Sequence, residues 1–129
     1  MDPHTSATAF ADSLPRTDAE ALVRLERFGG AKLLHEMIAL FLSNAPGRLD
    51  AAATAFAAGD AIGAENALHS LKSSSAQLGA LRLSRLCEQG EAIARDGRLD
   101  GIDLLIADGR EELVRVEAWL CAARAGGTA

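Results

Sequence analysis

The stretch ALHSLKSSSAQLGA, residues 67–80, sets His69 three residues before Lys72, with mostly small side chains around them. A neutral imidazole nitrogen is a good nucleophile near neutral pH, since its unperturbed pKa is about 6.5. On a helical wheel of about 100° per residue, Ala64, Leu68, Leu71, Ser75 and Leu78 share a narrow, core-facing arc, and His69 lies roughly 150° from its centre. The ring therefore faces solvent, and Lys72 leans to the same side one turn on. Ser73 and Ala76, the other near neighbours, lack the bulk to shield it. Glu65, at i−4, can hydrogen-bond the ring and fix which nitrogen is free. If such a ring accepts a phosphoryl group, the new negative charge calls for a nearby cation, which Lys72 supplies as a flexible point charge.

Other residues carry weaker signals. Ile62 falls on the His69 side of the wheel, where an exposed aliphatic group is either a docking contact or an ordinary surface residue. Glu91, on the following segment, either faces the histidine and hydrogen-bonds it or is a solvated helix carboxylate. Ser73, Ser74 and Ser75 read equally well as helix filler, Ser74 and Ser75 allowing close packing. His4 lies in a loose N-terminal segment, and His35 has Ile38 where a lysine would stand. A lone His69 with Glu65 makes a poor metal site, so no metal is expected. Cys87 and Cys121 match no CxxC or zinc spacing and are expected as free thiols packed in helices.

Helices must position these side chains. Hydrophobic residues make up 49% of the 129-residue chain, with weight on Ala and Leu and only four Phe, one Trp and no Tyr, which favours helix over strand. Residues 1–16 read as a flexible lead-in, with at most a turn of helix around Ala7 to Ala11. Thr17 or Asp18 caps a short helix carrying Leu22, Leu25 and Phe28 on one side, stopped by Gly29-Gly30. Leu34, Met37 or Ile38, and Phe41 then recur at helical spacing in a long helix kinked at Pro46 and ended by Gly59. Asp60 caps a helix from about Ala61 to Leu78, Gly79 ends or bends it, and the next closes at Asp96-Gly97. A last helix, about Ile102 to Arg124, stacks Ile106, Leu113, Val116 and Leu120, ahead of a flexible tail at 126–129. The expected fold is all-α: one domain over residues 17–125, an antiparallel four-helix bundle preceded by a short N-terminal helix.

Thirteen Lys and Arg against eighteen Asp and Glu give a formal charge of −5, and no basic cluster interleaves with aromatic residues, so nucleic acid is not an expected partner. The longest apolar run, MIALFL, is far short of a membrane span, and no signal-peptide pattern opens the chain. The reading is a cytoplasmic domain without membrane contact, either free or cut from a membrane protein. No Walker-type or kinase glycine-rich loop is present.

The spacing of His69, Lys72 and Gly79, with Gly59-Asp60 ahead of the histidine, resembles the histidine-containing phosphotransfer (HPt) domains of multistep phosphorelays. LLHEMIALFLSNAPGRLDAAATAFAAGD looks like that family's preceding helix. LSRLCEQGEAIARDG looks like its following one, with Cys87, Glu91 and Gly97 in register, so the likeness runs from about Leu22 to Gly97. Many members have Gly directly after the lysine, where this chain has Ser73. The resemblance implies a monomeric bundle that takes a phosphoryl group from one response-regulator receiver aspartate and passes it to another. Such a domain has no ATP site or cofactor of its own, and Mg²⁺ is expected only in the partner receiver. Two other readings stay open: a sensor-kinase dimerisation helix pair, which normally has an acidic residue where Ser70 stands, and a helical adaptor in which His69 is incidental.

Overall fold

A computed structural model describes residues 15–126, which form four helices: α1 (Ala19–Ala57), α2 (Ala61–Gln77), α3 (Leu81–Arg95) and α4 (Ile102–Gly126). Asp18 caps α1 by accepting the Glu20 N–H at 3.1 Å, and Asp60 caps α2 by accepting the Gly63 N–H at 2.9 Å. Each cap gives an otherwise unpaired helix-end donor its acceptor. Within α1 the backbone leaves helical geometry at Gly30 (φ 83°, ψ 174°), which sets a short N-terminal helical segment off from the long one. The chain runs on as helix through Pro46, as expected for one long helix rather than two.

Each helix packs on two others, α1 on α2, α2 on α3, α3 on α4 and α4 back on α1. The connections are short, so consecutive helices run antiparallel and the four close into a bundle. Leu34, Ile38, Phe41, Ala45 and Leu49 of α1 are buried at three- and four-residue spacing. They meet Ala64, Leu68 and Leu71 of α2 and Leu113, Val116 and Leu120 of α4 in one apolar core. All five residues of the core-facing arc are buried, Ser75 among them, four on α2 and Leu78 at its C-cap.

Phe28 corrects the sequence reading: it is exposed, while Leu22 is buried and Leu25 half-buried. It stands immediately before Gly29 and the break at Gly30, where the short segment ends. Packing also reaches back to Arg16, whose carbonyl accepts the Arg82 N–H at 3.2 Å and whose guanidinium pairs with Glu112. Glu112, buried on α4, also binds Arg82 of α3 at 3.1 Å, so one carboxylate ties the incoming chain to two helices. The possible turn around Ala7 to Ala11, His4 and residues 127–129 lie outside the described residues. Among the described residues no helix is long and apolar enough to cross a membrane.

Candidate functional site

His69 projects from the middle of α2 with its side chain 60% exposed. Its Nδ1 lies 2.7 Å from Oε1 of Glu91 on α3, whose side chain is only 2% exposed. The two helices come this close partly because residue 90 is glycine: a Cβ there would stand 2.7 Å from the Leu68 side chain of α2. Lys72, one turn after His69, places Nζ 2.8 Å from the other Glu91 oxygen, Oε2. Arg95, one turn after Glu91, places Nη2 2.7 Å from Oε1.

Burial alone would raise the pKa of the Glu91 carboxyl, but hydrogen bonds from Lys72 and His69, and the charges of both, outweigh it and hold the group below the usual carboxylate range. An ionised carboxylate only accepts hydrogen bonds, so the proton in the His69–Glu91 bond sits on Nδ1. In the neutral ring, Nε2 then carries the lone pair. No hydrogen bond engages Nε2 among the described residues. The arrangement is that of an oriented nucleophile: one nitrogen held by a buried anion, the other open to solvent, and a cation one turn away.

The expected site residues separate into three groups. His69, Lys72 and Glu91 come together as described. Glu65 does not reach the ring, because its Oε2 lies 3.3 Å from Arg95 Nε and Glu91 is the acceptor for Nδ1. Ser73 and Ala76 are exposed and border the open surface beside His69. Ile62 is 72% exposed, two turns before His69 on α2. Gly79 is not at the site. It has φ +80°, its carbonyl accepts the Asp18 N–H at 2.8 Å, and a Cβ on it would lie 2.3 Å from the Asp18 carbonyl oxygen. Its place is the tight packing of the α2–α3 turn against the start of α1.

Two features escaped the sequence reading. Arg95 lies four residues after Glu91, a spacing that marks a helical ion pair and was legible. A groove of about 120 Å³ between α1 and α2, lined by Leu40, Asn44, Ser70, Ser74 and Gln77 among others, adjoins the His69 surface. Leu40 is exposed at its edge, and only the pairing of α1 with α2 reveals it. Cys87, one turn before Glu91, is a buried free thiol, pushed up to about 12 by burial and then by the Glu91 charge. Cys121 is free and exposed. Among the described residues no three His, Cys, Asp or Glu side chains converge as a metal site requires.

Comparison with known proteins bears on the family and the fold. The family model described as the Hpt domain matches residues 36–125. The fold is similar to that of histidine-containing phosphotransfer protein B (HptB) from Pseudomonas aeruginosa PAO1, known from a crystal structure, with 27% sequence identity and a TM-score of 0.80. That match covers 85% of this chain and 95% of the other. No curated protein sequence matches.

Proposed function

This chain belongs to the Hpt domain family, whose members are phosphotransfer carriers in phosphorelays, and from that premise we propose that His69 is the residue that carries the phosphoryl group. In the forward step Nε2 attacks the phosphorus of a receiver's aspartyl phosphate. An N–P bond forms as the P–O bond to the aspartate breaks, and the aspartate leaves as its carboxylate. The ring keeps its Nδ1 proton, so positive charge develops on the imidazole while the phosphoryl oxygens stay negative. Glu91 faces the first charge, as a carboxylate behind a nucleophilic or basic histidine does in hydrolases. Lys72 balances the second. The same step in reverse loads the aspartate of another receiver.

The observation that carries this reading is the ionised, buried Glu91 against Nδ1, which leaves Nε2 as the exposed lone-pair nitrogen. Ser73 and Ala76 give a receiver's phospho-aspartate room to approach. Exposed Ile62 on α2 and Leu40 on α1 give the receiver apolar docking contacts. No cofactor is needed on this chain, since Mg²⁺ belongs to the receiver's own site. The domain then works as a monomer in the cytoplasm, free or as part of a membrane-anchored hybrid sensor kinase.

The test is incubation with a phosphorylated receiver, followed by analysis of the labelled protein. Acid-labile, base-stable phosphate is expected on His69 and absent from His69→Gln. Label persisting in that variant contradicts the assignment, and docking without transfer favours the adaptor. Lys72→Ala should slow transfer more than it weakens docking; equal loss of both would make Lys72 an interface residue.

A further inference from the structure

Glu91 is paired with more positive charge than a resting histidine requires. Its Oε2 is paired with Lys72 and its Oε1 with Arg95, although either cation alone would neutralise it. Arg95 is held from two helices, through Glu91 on α3 and Glu65 on α2. Its planar fork suits a fixed bridge between carboxylates, whereas Lys72 is a single ammonium on a flexible stem. The two cations also use different oxygens of Glu91, so one can leave without breaking the contact of the other.

We propose that Arg95 is a positioning residue for phosphoryl transfer: by keeping Glu91 charge-paired, it releases Lys72 to follow the phosphoryl group at Nε2. The inference rests on His69 being the acceptor. Without Arg95, departure of Lys72 before positive charge has built up on the ring would leave a carboxylate that is almost wholly buried facing only an imidazole N–H, and an uncompensated buried charge is strongly disfavoured. Lys72 would then stay on Glu91, and the transferring group would lose its cation. Glu65 thus contributes indirectly, by holding Arg95 in place.

A bland role exists for the same contacts, a staple between α2 and α3, and the charge on Glu91 separates the two. In single-turnover transfer from a phosphorylated receiver, Arg95→Gln should lower the rate about tenfold with receiver affinity unchanged, and Arg95→Lys should recover part of the loss. In a Glu91→Gln background there is no carboxylate charge to compensate, so adding Arg95→Gln should cause no further loss. An equal loss in both backgrounds, or affinity falling in step with rate, would overturn the proposal. Wild-type transfer speed in Arg95→Gln would also overturn it, while leaving His69 as acceptor intact. Absence of label on His69 in the wild-type protein is a different failure, that of the acceptor assignment itself.

Discussion

Glu91 is buried and still ionised, because the hydrogen bonds and charges of Lys72 and His69 outweigh its desolvation. Its folded pKa lies below the ordinary value, so the folded state binds this proton more weakly than the unfolded chain does. The resulting stabilisation is complete above the ordinary glutamate range and is lost as pH falls through the lower folded value. Urea denaturation of the wild type and Glu91→Gln should therefore show a gap near neutral pH that closes in acid; a gap that persists in acid would mean the carboxylate charge does not matter. At neutral pH the gap should be about 1–2 kcal/mol rather than the larger cost of stranding a fully buried ion, since Lys72 and Arg95 can both reach water once released. The exposure of His69 was legible from the wheel alone, because it opposes a clean apolar arc. Its hydrogen-bond partner was not. Glu65 and Glu91 both fitted the sequence, and choosing between them depends on how close α3 stands to α2, which no spacing within one helix encodes.

That closeness belongs to the helices, and two glycines divide the work. Gly90 lets α3 approach the Leu68 side chain, next to the residue that holds His69. Gly90→Ala forces Leu68 or α3 to shift, which should cost ~1–3 kcal/mol and slow transfer as Glu91 moves off the ring. Gly79 sits at the end of the bundle in left-handed backbone geometry against Asp18. Gly79→Ala should destabilise by at least ~1–3 kcal/mol while leaving the transfer rate per folded molecule near wild type. Denaturation curves set beside single-turnover rates check both, and a catalytic defect in folded Gly79→Ala would contradict the separation. Helix order and limits were legible, since Asp18, Asp60 and the closing Gly59, Gly79 and Gly97 are punctuation that the physics of helix ends requires. Phe28 was misplaced because the wheel assumes an unbroken partner surface, and the short segment ends at that point.

Among the described residues, burial is apolar except at a few polar groups, chiefly Glu91 at the site and Glu112 on α4. Glu112 binds Arg82 and also Arg16, from the segment ahead of the first helix. Its own helix offers it only Arg115, three residues on at 3.7 Å, whereas the partners at hydrogen-bond distance are 96 and 30 residues away in the chain. Glu112→Ala should cost ~3–5 kcal/mol, because it takes a buried carboxylate from a guanidinium that is itself largely buried. The same variant should transfer phosphoryl normally wherever it is folded. A small change in stability would show that the clamp is incidental to the bundle.

The most direct measurement is nitrogen-15 NMR of the intact protein after loading from a phosphorylated receiver, which reports which atom bears the phosphate and which keeps its proton. Phosphate on Nε2 of His69 with the Nδ1 proton retained is the expected result. Phosphate on Nδ1, or on any residue other than His69, would contradict the acceptor geometry that Glu91 imposes.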